Sequence, residues 1–290
     1  MNILEGFIVG ARLKTLISSI SPVLLGTVIA YDTKPLHFPL FLLTLLFALC
    51  VQIGMNFSND YLDFLKGSDT TERIGPRRAV QSKLVSINVM RIATLGIFAM
   101  AGIIGIYLMQ IGGWQIGVLA LLAILLAYFY TGGPYPIGHL GWSDLCVLVF
   151  FGPIATAGTT YLQTATLSSI SIIAGLAPGL FSTAMLAMNN VRDFEQDRKA
   201  CKKTLPVRFG ILFGKWEITC CLILPCLIPF YLFNRTYHHP LSLLSTSAFI
   251  FSLLFVRALF QKKNSALLFP KIGYIFTLYT LLFSLGWILS

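Results

Sequence analysis

Apolar residues run through this chain in long blocks, and polar residues gather between them. A helix crossing a bilayer needs about 20 mainly apolar residues. Nine such blocks occur, at roughly 15–31, 39–57, 90–110, 114–130, 143–163, 169–190, 216–233, 241–260 and 270–289. The pattern predicts an all-α polytopic membrane protein with nine transmembrane helices, in one domain spanning 1–290. A basic stretch precedes the first block, an order shared with signal peptides. Eight further blocks follow and no clear cleavage site is present, so the first block reads as a membrane helix.

Only two connections are long and charged, about 58–89 after the second block and about 191–215 after the sixth. Four spans separate them, so both emerge on the same side. Each opens on a cluster of side-chain oxygens: Asn56, Asn59, Asp60 and Asp63 in the first, Asn189, Asn190, Asp193 and Asp197 in the second. At about 100° per residue, Asn56, Asp60 and Asp63 share about 60° of a helical face, and Asn189, Asp193 and Asp197 about 80°. The spacings Asn-x3-Asp-x2-Asp and Asn-x3-Asp-x3-Asp form a weak internal repeat, which would set the clusters opposite each other across a cavity. Alone, either cluster reads more readily as helix caps and turn formers. Two at equivalent depth point to a shared site, because crowded carboxylates beside a membrane repel and lose hydration unless a hard divalent cation joins them.

Composition fixes the setting. Of 290 residues, 56% are hydrophobic and 11% charged, with a mean hydropathy of +0.80, which excludes an ordinary soluble domain. With the N-terminus inside, 19 of the 21 Lys and Arg residues fall on the cytoplasmic side, and Lys34 and Arg235 fall outside. The formal charge of +10 is therefore mostly a topology signal and implies no nucleic-acid partner. Acids contribute little to topology, yet seven of the eleven lie within 60–72 or 193–197. The six cysteines, at 50, 146, 201, 220, 221 and 226, show no metal-ligand spacing and read as packing residues or idle thiols.

Basic residues follow each cluster: Lys66, Arg73, Arg77, Arg78 and Lys83, then Arg198, Lys199, Lys202 and Lys203. They serve topology and lipid headgroups; packed beside acids they also suit an anion bridged to carboxylates by metal, and a diphosphate fits that description. Gly75-Pro76-Arg77-Arg78 is the strongest of the set, since a constrained turn would fix two guanidinium groups. The connection from Tyr128 to Asp144 has no Lys or Arg. Its aromatics form an interfacial belt or line a site that tolerates a carbocation. His139 is a candidate base there. Arg12, with Lys14, precedes the first span and orients the helix, or Arg12 holds the carboxylate of an aromatic acceptor.

These features resemble the UbiA superfamily of intramembrane aromatic prenyltransferases, nearly end to end. The resemblance rests on the nine spans, the two Asp-rich motifs at 56–69 and 189–197, and Thr204-Leu205-Pro206-Val207-Arg208-Phe209-Gly210. Within it, the stretches 59–69, Gly75 to Ser82, Gly133-Pro134-Tyr135-Pro136, Asn189 to Asp193 and Ser21 to Gly26 are similar to the 1,4-dihydroxy-2-naphthoate polyprenyltransferase branch.

The resemblance implies nine transmembrane helices bundled around a central cavity with a cytoplasmic cap, open sideways to lipid, in a bacterial cytoplasmic membrane. It implies Mg²⁺-dependent transfer of a polyprenyl chain from its diphosphate to a dihydroxynaphthoate, with decarboxylation, in menaquinone synthesis. Carried over, Asn56, Asp60, Asp63, Asn189, Asp193 and Asp197 become metal and diphosphate ligands, the four aspartates being catalytic. Lys66, Arg73, Arg77, Arg78, Lys202 and Lys203 bind the diphosphate. Arg12, Asn59, Tyr130, Tyr135, His139 and Asp144 line the acceptor or cation pocket. Asp69 stands two residues later than in the wider superfamily pattern, a Lys common in the fourth-to-fifth loop is absent, and Lys83 replaces a common Gly. Two alternatives stay open: a different aromatic acceptor such as 4-hydroxybenzoate, or a divalent-metal or lipid-anion transporter. Transport would predict polar residues near mid-span. No oligomeric state follows from the sequence.

Overall fold

The computed structural model describes the backbone of residues 3–67, 75, 77–261 and 265–290, and side chains throughout these except at 265–267. Among the described residues the fold is all helix. Seven helices are long and apolar enough to cross a bilayer: Phe38–Leu65, Ile87–Gly112, Ser143–Thr164, Ser169–Arg192, Ile211–Thr236, Pro240–Phe260 and Leu268–Leu289. An eighth span counts if Ile3–Thr15 and Ile17–Tyr31, bent by 53°, are taken together. The block expected at 114–130 is a helix of 16 residues, Trp114–Phe129. At 1.5 Å per residue it is about 24 Å long, short of the ~30 Å hydrocarbon core.

Length decides where the first acidic motif stands. Phe38–Leu65 has 28 residues, or about 42 Å, so its last two turns project beyond a bilayer core and carry Asn59 and Asp63 into the interface. Side chains start several helices: His37 Nδ1 accepts from Leu40 N at 3.2 Å, and Ser86 and Ser168 each accept from the third residue on.

Ser169–Arg192 is the most enclosed span. Its Phe181 stacks on Phe276 of the last helix with ring centroids 5.0 Å apart, inside a core that also takes in Leu25, Tyr279 and Phe283. Small residues bring it against Ser143–Thr164. A Cβ on Gly152 would stand 2.6 Å from the Gly175 carbonyl oxygen, and one on Gly179 2.3 Å from that of Leu148. Such close backbone approach is the usual glue of membrane helices. Hydroxyls add cross-links, with Ser21 Oγ 2.7 Å from Thr280 Oγ1 and Thr160 Oγ1 donating to the Gly26 carbonyl at 2.8 Å. At the end of the bundle away from the acidic motifs, Asp32 Oδ2 accepts from Trp287 Nε1 at 2.9 Å and lies 3.1 Å from His239 Nε2.

Candidate active site

Two cavities meet at one side chain. At the motif end lies a polar chamber of about 720 Å³. Between Ile17–Tyr31, Phe38–Leu65, Trp114–Phe129 and Ser143–Thr164 runs an apolar groove of about 170 Å³, walled by residues such as Val23, Phe47, Ala123, Phe150 and Gly158. Tyr130 lines both.

Both acidic motifs face the chamber. Asn59 and Asp63 reach it from the second span, Asn189, Asn190 and Asp193 from the end of Ser169–Arg192, and Asp197 from the short helix Phe194–Lys199. Four of them meet a cation: Asn59, Asp63, Asp193 and Asp197. Asn59 Oδ1 accepts from both Arg12 and Arg78. Arg78 also meets Asp63 at 3.2 Å. Arg192 grips Asp193 through two bonds of 2.7 Å, and Lys202 Nζ lies 3.3 Å from Asp197. Burial holds the Asp197 carboxyl above the ordinary carboxylate value; Lys202 opposes this, while the charges of Asp193 and Asp63 add to it. The acids of the two motifs therefore feel one another across the chamber. Among the described residues, no three His, Cys, Asp or Glu side chains form a preassembled metal cage.

Several of the expected site residues lie away from the chamber wall or take other partners. Asp60 is 1% exposed and does not line the chamber: its two oxygens accept from Ala79 N at 3.0 Å and Val80 N at 2.8 Å, so it anchors the returning loop. Asn56 donates to the Ala11 carbonyl at 2.9 Å and to Thr15 at 3.2 Å, tying down the N-terminal segment. Their shared helical face is real, but the chamber opens on its Asn59 and Asp63 flank. Asn59, assigned above to the acceptor pocket, sits with the acids instead. Lys66 turns away from the chamber to donate to the carbonyls of Thr131 and Gly133. Burial lowers its pKa, opposed by Asp63 and assisted by Lys202.

Lys203 points outward and Tyr135 is 78% exposed. Asp144 is buried behind the chamber wall, bonded to Ser143 at 3.0 Å and close to Glu217. The two arginines of the Gly75 turn part company: Arg78 has 7% of its side chain exposed, whereas Arg77 has 57% and pairs with Glu5 at 3.4 Å. Arg77 still reaches the chamber edge, as do Arg12, Asn189, Tyr130, His139 and Lys202. Arg73, Asp69 and Pro76 lie outside the described residues. Asn190, part of the second cluster, lines the chamber too, as do Arg192 and Gln196, which were not singled out from the sequence. Adjacency to Asp193 was the available signal for Arg192.

Residues 19–287 match the model of the UbiA prenyltransferase family. The chain belongs to that family. It is 38% identical over 213 residues to 1,4-dihydroxy-2-naphthoate octaprenyltransferase of Haemophilus influenzae, covering 71% of this chain and 69% of the relative. The Escherichia coli protein of the same name is 34% identical over 238 residues, covering 79% and 77%. The fold matches a UbiA homolog from Archaeoglobus fulgidus bound to GPP and Mg²⁺, with a TM-score of 0.68 and 15% identity over 98% of this chain and 100% of that one. The protein is thus a membrane-embedded enzyme of the prenyltransferase class.

Proposed function

We propose that the protein transfers a polyprenyl chain from its diphosphate to 1,4-dihydroxy-2-naphthoate or an isomer, releases the carboxylate as CO₂, and forms demethylmenaquinol, the reduced form of demethylmenaquinone. The observation that carries this reading is the junction at Tyr130 of a charged chamber and an apolar groove. A prenyl diphosphate has those two halves, joined at the carbon that reacts. The names of the relatives from Haemophilus influenzae and Escherichia coli supply the acceptor.

The donor set fits magnesium: Asn59, Asp63, Asn189, Asp193 and Asp197 offer hard oxygens around one chamber. When bound, the metal offsets charge growing on the departing diphosphate. Among the described residues no three His, Cys, Asp or Glu side chains form a cage for a lone ion, so the carboxylates and the substrate's phosphate oxygens would together complete its coordination. Arg12, Arg77, Arg78 and Lys202 bind the other phosphate oxygens. The face of Tyr130, at the mouth of the groove, stabilises an allylic cation, and the apolar walls keep out the water that would quench it.

The chamber and N-terminus lie on the cytoplasmic face, and the bundle is a single domain of nine spans counting the short Trp114–Phe129. The basic residues inferred to lie inside, 19 of 21, support that orientation. Purified protein in detergent, given labelled prenyl diphosphates and carboxyl-labelled acceptors with and without Mg²⁺, tests the proposal. Metal-dependent product and released label with the naphthoate are expected. Preference for 4-hydroxybenzoate would replace the acceptor, and uptake without product would replace the enzyme by a transporter.

A further inference from the structure

His139 lines the chamber beside Tyr130, Gly138 and Lys202, and its ring nitrogens hold no partner among the described residues. Its backbone is fixed from both sides, by Pro136 O at 2.9 Å and Lys203 N at 2.8 Å, so the ring is held at the wall without being used there. The other ionisable chamber groups are committed. Asp63, Asp193 and Asp197 face Arg78, Arg192 and Lys202. The remaining arginines and lysines have no lone pair to offer, and a tyrosine keeps its proton at neutral pH. Burial, then the ammonium groups of Lys202 and Lys66, push the imidazole down to about 4. It stands neutral at pH 7 with one nitrogen open as a base.

Resting on the prenyl transfer proposed above, we propose that His139 is the general base for the acceptor: it takes the proton of a ring hydroxyl as the ring attacks, and returns it to the same oxygen afterwards. The O–H pair stays on the ring oxygen while the proton passes to the imidazole. The ring carbon bearing the carboxylate forms the new C–C bond as the prenyl C–O bond breaks, its electron pair leaving with the diphosphate. Loss of that carboxylate as CO₂ returns its bonding pair to the ring, and the phenolate recovers its proton from the imidazolium. No oxidant or reductant is consumed.

The charges around His139 also order the steps. The ammonium groups of Lys66, from the second span, and Lys202, from the second motif loop, act on the ring; Lys203 and Arg208 hold its segment from outside, through Lys203 N to the His139 carbonyl at 2.8 Å and Arg208 to the Leu140 carbonyl at 2.6 Å, and Asp144, on the helix that follows, lies behind the wall. A diphosphate in the chamber offsets the ammonium charge and strengthens the base. His139 then acts only once the prenyl donor is seated.

His139→Gln and His139→Ala, checked by thermal melting, test this. Among the described residues the ring makes no hydrogen bond or ion pair, so both should melt close to the wild type. A fall in kcat of about 10²- to 10⁴-fold is expected, with little change in KM for the prenyl diphosphate. In the wild type, kcat/KM for the acceptor at saturating donor should fall as pH drops through the imidazole pKa of the donor complex; His139→Gln should lose that limb and keep only that of Asp197. Absorbance of the bound naphthoate gives a second readout. With Mg²⁺ and an unreactive prenyl thiolodiphosphate, the wild type should show the phenolate band and His139→Gln should bind without it. Wild-type kcat and an unchanged acid limb in both variants, or an equal phenolate band in His139→Gln, would overturn the assignment of His139 alone. A wild type that prenylates no phenolic acid would overturn the parent reading as well.

Discussion

Neighbouring acids on one helix do different work. Asp60 spends both oxygens on the amides of Ala79 and Val80, and charge-assisted bonds of this kind are worth roughly 1.5–3 kcal/mol each. Asp60→Ala should therefore lower the melting temperature and lose activity through folding, while Asp60→Asn, keeping one acceptor, should recover part of both. Asp63→Asn should instead abolish turnover and retain most of the melting temperature. The reverse pattern would show that Asp60 is the ligand. Asp197 offers a pH test. Burial raises its pKa in the folded protein, so its protonated form persists to higher pH and competes with metal there. Mg²⁺ affinity should weaken as pH falls through that raised value, and Asp197→Asn should bind weakly with little pH dependence. Titration of Mg²⁺ by calorimetry at pH 5 and pH 8 checks this.

Helices set the reach of these side chains and the shape of the groove. Gly152 and Gly179 let Ser143–Thr164 and Ser169–Arg192 touch through backbone atoms, where any Cβ must displace a carbonyl. Gly179→Leu should prise the pair apart and sharply lower the yield of folded protein in detergent, measured by gel filtration. Gly158 is the opposite case: a Cβ there meets nothing within 4 Å, and the residue lines the groove. Gly158→Phe should fold and shift preference toward shorter prenyl diphosphates, measured by competition between chain lengths. Equal use of all lengths would remove the groove from the tail's path. The helical wheel found the stripe from Asn56 to Asp63 but not its working side, because angles along one helix say nothing of its neighbours. Only the return of residues 77–85, and the bend that brings Ala11 and Thr15 to Asn56, assign the two flanks.

Across the whole molecule, hydropathy alone located the seven helices long enough to span, since each must hide its backbone from lipid, and the acids and bases marked one end as chemical. What it could not resolve was pairing. Lys66 and Lys202 read alike in sequence, yet one straps the loop after Trp114–Phe129 and the other meets Asp197 in the chamber. The knot of Asp32, Trp287 and His239 has a practical corollary. It holds the carboxyl tail at the pole opposite the chamber, whereas Ile8 and Val9, near the amino end, form part of the chamber wall. Purification tags belong after Ser290, clear of the reacting groups. Alkaline phosphatase fused there should be active in living cells and green fluorescent protein dark; the inverse would turn the molecule upside down in its membrane.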